Sequence, residues 1–142
     1  MRRMTRWIVV GGLLLAAVSA SAADGFKVVV NEACSVSSLP RAEVSAMLLK
    51  KVTKWSDGTA VVPVDQAAGS AVRQKFSSRV HGKEAAAVKS YWQQQIFAGR
   101  GVPPVEMASD DQVLAYVRSH PGAIGYVSES AAADGVKVLT VE

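Results

Sequence analysis

The chain is poor in the side chains that perform chemistry: its 142 residues include one cysteine and two histidines. With Cys34 alone, a disulfide within the chain is excluded. What remains is pairing with another molecule, or a small buried residue in a loop. With only His81 and His120, a zinc cage would have to draw on carboxylates, and no metal-ligand spacing is present. Both histidines also sit beside helix-ending signals, His81 before Gly82 and His120 before Pro121-Gly122, so each has a capping explanation. The serines between Cys34 and Ser38 have no neighbouring base and no G-x-S-x-G elbow. No catalytic residue, metal or cofactor is assigned, and an enzyme is not expected. Aromatics make up 6% of the chain and no basic run is interleaved with them, which argues against a nucleic-acid partner.

Long apolar runs are equally scarce. The one that exists, Trp7 to Val18, follows Arg2, Arg3 and Arg6 and precedes Ala20-Ser21-Ala22. A basic start, a short apolar stretch and an A-x-A site read as a secretory signal peptide over residues 1–22, too short for a membrane span. The alternative is an uncleaved anchor. Cleavage places the remaining residues, 23–142, in the periplasm with no membrane-spanning segment. It also removes three of 16 basic residues and none of 12 acidic ones, leaving 13 against 12, or +1. The high isoelectric point therefore stems in part from the leader.

What is present is an alternation of strand and helix patterns. Lys27–Asn31, Ala60–Val64, Val105–Ala108, Ala123–Val127 and Val136–Val141 read as strands. A helix with Ser38 as cap and Pro40 in its first turn carries Val44, Met47, Leu48 and Val52 on one face, with Lys50, Lys51 and Lys54 in its last turn. Val72, Phe76 and Val80 mark a second helix, stopped by Gly82. Glu84–Phe97 is a third, with Val88, Tyr91, Trp92 and Ile96 inward. Ser109-Asp110-Asp111-Gln112 opens a fourth with a capping box, its acids suited to the helix dipole. Ser128–Asp134 is a short helix or turn, and Trp55 and Trp92 read as core. The class is α/β, with a mixed, mainly parallel sheet flanked by helices.

The stretch PVDQAAGSAVRQKF, Pro63–Phe76, is the best site candidate. An apolar strand gives way to Gly69-Ser70 and then to a helical pattern. A helix start exposes unpaired N–H groups and partial positive charge, so Gly69, Ser70 and Ala71 could cradle an anion. Arg73, one turn in, could add a charged fork. Alternatively, Ser70 only caps the helix.

Three stretches, LPRAEVSAMLLKKVTKWSDGTAVVPV (Leu39–Val64), YWQQQIFAGRGVPP (Tyr91–Pro104) and HPGAIGYVSESAAADGVKVL (His120–Leu139), stand out together. In combination they resemble phosphate-type periplasmic solute-binding proteins. The resemblance implies one lobe of a type II binding protein, since about 120 residues suffice for one lobe only. It places the family's Arg-x-Asp-Gly-Ser-Gly-Thr loop at the quoted stretch. Gly69 and Ser70 match that loop; Gln66 stands for its arginine, Ala68 for its aspartate, Ala71 for its second glycine and Val72 for its threonine. Gln66 and Arg73 are then auxiliary donors. The implied function is weak or partner-dependent binding of phosphate or a similar oxyanion, with an envelope partner, a transporter or self-association completing the cleft. The alternative is a protein-interaction module that keeps the fold without the ligand, with the loop Arg100–Pro104 as a contact.

Overall fold

A computed structural model describes residues 25–142; the expected signal peptide lies outside the described residues. Eleven elements follow in order. The strands are β1 (Phe26–Asn31), β2 (Ser38–Leu39), β3 (Val62–Gln66), β4 (Val105–Met107), β5 (Ala123–Ser128) and β6 (Val136–Val141). The helices are α1 (Arg41–Leu48), α2 (Ala71–Phe76), α3 (Ala85–Phe97) and α4 (Asp110–Ser119), with a wide π turn, Ser77–His81, continuing α2.

The strands form one six-stranded sheet in the order β2-β6-β1-β5-β3-β4. It is mixed: β1 runs antiparallel to β5 and β6, while the other three pairings are parallel. Strand side chains alternate faces, and the core divides accordingly. Val28 and Val30 of β1 join Ile124 and Tyr126 of β5 on one face, under Met47, Leu48, Val72 and Phe76. Val29, Ala123 and Val127 join Val113, Leu114 and Val117 of α4 on the other. A methyl group on Gly125 would sit 3.0 Å from Val113 Cγ1, so glycine there lets α4 lie close on β5.

The structure shifts several sequence expectations. Ser38 does not cap α1 but pairs as a strand with Thr140. Pro40 occupies the cap position without a side-chain hydrogen bond, and the Arg41 N–H donates to the Glu142 carbonyl at 2.8 Å. The helix stops at Leu48, ahead of the lysines, and Lys50 takes a left-handed φ of 56°. The strand expected at Ala60–Val64 is displaced to Val62–Gln66. Pro63 is accommodated there because β4 begins pairing only at Val64. Ile96, expected inward, is 52% exposed. In α3 only a narrow strip, Ala85, Val88 and Trp92, is buried.

Candidate functional site

β3 and β5 run parallel, so their carboxyl ends reach the same rim of the sheet, and β1, antiparallel to β5, begins there. In open α/β sheets this rim is where ligands collect, because helix starts and loops converge on it. The turn between β3 and α2 closes with the Ser70 N–H donating to the Ala67 carbonyl at 2.9 Å, while the Ala67 N–H donates to the Met107 carbonyl at 3.0 Å. Ser70 caps α2: its Oγ accepts from the Arg73 N–H at 3.0 Å. Ala68, Gly69 and Ala71 are exposed, and their amides lack a hydrogen-bond partner among the described residues. A Cβ on Gly69 would meet nothing within 4 Å.

The two donors expected to assist are placed differently. Gln66 is 2% exposed and its side-chain amide donates to Asp110 Oδ1 at 2.8 Å and to the Tyr126 carbonyl at 3.1 Å. Arg73 is 5% exposed. Its Nη1 donates to the Gln66 carbonyl and to Glu106 Oε1, both at 2.7 Å, and its Nη2 lies 3.5 Å from Asp65 Oδ2. Both side chains thus spend donors on a clamp joining β3, α2, β4, α4 and β5. Asp65 completes it, accepting from the Tyr126 hydroxyl and the Gln66 N–H.

The electrostatics of the clamp follow from its burial. Burial raises the pKa of Asp65, against the pull of Arg73 and of the hydrogen bonds from Tyr126 and Gln66. Burial, aided by the charge of Asp65, pushes Tyr126 well above the ordinary phenol range. Burial also acts upward on Asp110, but hydrogen bonds from Gln66 and Ser128 outweigh it and hold that carboxyl below the ordinary range. Asp110 is therefore more than a dipole partner, since it ties the start of α4 to β3 and β5. Asp65, Glu106 and Asp110 leave the clamp without surplus positive charge.

Sequence reasoning missed the cation that does reach the open rim. A cleft of about 440 Å³ is lined by Ala71, Val72, Lys75, Gly25, Ser128, Glu129 and Ser130. Lys75 follows Ala71 by four residues, one helical turn, and that spacing is the signal that could have found it. The contribution of β5's end could not be read locally, because it depends on strand order. His81 and His120 serve structural contacts: His81 Nδ1 lies 2.7 Å from Ser45 Oγ, and His120 stacks on Tyr116. Cys34 is half-buried and free. Trp55 is core, its indole donating to the Gly122 carbonyl at 3.0 Å. Among the described residues no group of three metal-ligating side chains could hold an ion, and no helix is long and apolar enough to cross a membrane.

Comparison with known proteins adds ancestry to this geometry. A family model described as a PBP superfamily domain matches residues 19–140. No curated protein matches the sequence. Among solved structures, an ABC-type phosphate transport receptor from Vibrio cholerae superposes with a TM-score of 0.66 at 19% identity, over 82% of this chain and 46% of that one. A phosphate ABC transporter substrate-binding protein from Clostridium perfringens, solved with bound phosphate, gives 0.67 at 21% identity, over 82% and 44%. The chain thus spans less than half the length of either.

Proposed function

The chain belongs to the PBP superfamily, with the fold of one lobe of a phosphate-type solute-binding protein, and from that premise we propose that it is an exported, weak receptor for a small oxyanion such as phosphate. In this reading residues 1–22 direct export to the periplasm and 23–142 form the binding lobe. The anion lies at the start of α2, facing the unpartnered amides of Gly69 and Ala71, with the Ser70 hydroxyl beside them. Lys75 supplies the charge, and Gln66 and Arg73 act indirectly, by fixing the turn. The observation that carries the proposal is the cleft that brings Ala71, Lys75, Ser128 and Ser130 together at the strand ends. No covalent step is involved.

Energetics set the expected strength. Two or three charge-assisted hydrogen bonds contribute about 1.5–3 kcal/mol each, while immobilising the ligand costs several kcal/mol. Glu129 in the cleft and the clamp's carboxylates oppose an anion, and water enters an open half-cleft. The balance is roughly −4 kcal/mol, a millimolar dissociation constant. A transporter, another envelope protein or a second copy closing the cleft would raise it.

Titration of the purified protein with phosphate, and separately with sulfate, followed by calorimetry and amide NMR, tests this. Saturable shifts at Gly69, Ser70 and Ala71 with a roughly millimolar constant, weakened in Lys75→Ala, are expected. Silence of those amides in about 20 mM phosphate, well above that constant, refutes the site.

A second reading is favoured by a separate observation. Phe97 is 96% and Ile96 52% exposed at the end of α3, and Val102 and Val105 are 62% and 46% exposed nearby in the chain. Apolar surface of this kind marks docking sites, and in this reading the lobe keeps its fold to bind another envelope protein, with Arg100–Pro104 in the contact.

A further inference from the structure

We propose that the open edge of β4, with the groove beside it, receives an extended apolar peptide strand from another protein, flanked by acidic residues. The inference rests on the docking reading above and gives it a place and a partner chemistry; it is independent of the oxyanion site.

The backbone of the edge comes first. β4 is the last strand of the sheet, paired with β3 alone. The Met107 carbonyl accepts from the Ala67 N–H and so points toward β3. Successive residues of a strand direct their main-chain groups to opposite sides, so the N–H and C=O of Glu106 face outward. With β3 the one neighbour of β4 and no bond reaching them from outside the ladders, neither has a backbone partner among the described residues. An unpaired donor and acceptor on one exposed edge residue are what strand addition uses.

The side chains beside that edge match an apolar strand. A groove of about 190 Å³ is lined by Trp92, Gln93, Ile96 and Lys89 of α3, with Arg73, Pro103 and Glu106. Glu106 turns its side chain to this face, where it meets Arg73. A strand added about 4.8 Å beyond β4 would put every second side chain on the same face, over the groove. Trp92, in the groove wall, has a buried indole N–H with no hydrogen-bond partner. On the opposite face of the edge, Val105 is half exposed.

Charge selects the partner. The side chains of Lys89 and Arg100 are exposed and have no hydrogen-bond or ion-pair partner among the described residues. Glu106, the acid of the groove, is already paired with Arg73. Lys89, which lines the groove, therefore offers an unpaired cation to an acidic flank, and Arg100 adds a second in the loop that follows α3. A second copy is the poorer occupant. Antiparallel self-pairing centred on Glu106 would set that carboxylate opposite its own copy, and like charges directly opposite are unfavourable.

The probe is a fluorescein-labelled peptide of about ten residues, an ordinary strand length, with alternating Val and Thr and Asp at both ends. It is compared with the same peptide ending in Lys, and with one N-methylated at alternate central residues. Anisotropy is expected to give a dissociation constant on the order of 100 µM, about fivefold weaker with Lys ends and undetectable after N-methylation on the pairing edge. Amide shifts should centre on Glu106 and the Trp92 indole, and Ile96→Ser, a neutral change at an exposed position that leaves the fold intact, should weaken binding. Binding unaffected by N-methylation, or shifts away from β4, overturns the edge assignment while leaving the docking reading. Absence of binding by either charged peptide overturns both. Capture of Phe97 by anionic phosphatidylglycerol vesicles without peptide binding overturns the peptide in favour of a lipid surface. None of these outcomes alters the phosphate titration.

Discussion

Replacing Arg73 by Met separates its structural role from any ligand role. The guanidinium is buried and holds three acceptors, Asp65, Glu106 and the Gln66 carbonyl. Methionine fills a similar volume but leaves Asp65, 6% exposed, without its cation. Breaking a buried pair from one side costs about 3–5 kcal/mol, since the surviving charge stays desolvated. For about 120 residues, 1 kcal/mol shifts Tm by about 4 °C, so a fall of about 12–20 °C is expected by calorimetry. The double variant Asp65→Asn/Arg73→Met removes the stranded charge and should recover about 2 kcal/mol. Acid should help the single variant selectively. The folded pKa of Asp65 already lies above its unfolded value, so its contribution is most favourable at low pH and is lost as pH rises through the folded pKa. Loss of Arg73 raises that folded pKa further, so the Tm gap from the parent protein should narrow between pH 7 and 5. A fall of less than about 4 °C, or a double variant no more stable than the single one, would refute the clamp as a stabilising unit.

Other positions give independent tests. Gly122→Ala would bring a methyl group to 1.9 Å from the Ala60 carbonyl oxygen, so backbone must move; a loss of about 3 kcal/mol is expected in urea unfolding. Gly69→Ala meets open space at an ordinary φ, so stability should stay level or rise by up to about 1 kcal/mol, and a marked loss would mean the turn is shaped differently. His81 is held neutral, its pKa lowered to about 4 by burial and by the charges of Lys83, Arg73 and Lys51. Its folded pKa lies below the unfolded value, so its contribution is present above about pH 6.5 and is lost as pH falls toward 4. About 2–3 kcal/mol of acid sensitivity should therefore flatten in His81→Gln, read from unfolding midpoints across that range.

Much of the fold was legible in the sequence because the signals are local. The β-branched run Lys27–Asn31 and the Ala123–Val127 segment became neighbouring core strands. The Ser109 cap formed as read, with its Oγ accepting from the Gln112 N–H at 3.2 Å, but the box closes one residue early, Gln112 Oε1 accepting from the Ala108 N–H at 3.0 Å and not from that of Ser109. The failures were equally physical. Ser38 has cap chemistry, yet the last strand offered it a ladder, and pairing across about 100 residues of chain has no local signature. Ile96 has core spacing, but how much of a helix is covered depends on what packs against it.

For the site, the sequence by itself determined a strand, a Gly-Ser turn and a helix start, and hence a row of amides at one sheet rim. Only the tertiary structure decided which polar groups were left over. Strand order carried Asp110 and Tyr126 to Gln66, and placed Asp65 and Glu106 beside Arg73, so those donors were consumed inside the protein. The same order delivered Lys75 and the end of β5 to the open cleft and left β4 at the edge. A side chain's chemistry is written in its identity, but whether that chemistry is free for a ligand depends on partners distant in the chain, whose approach is set by packing.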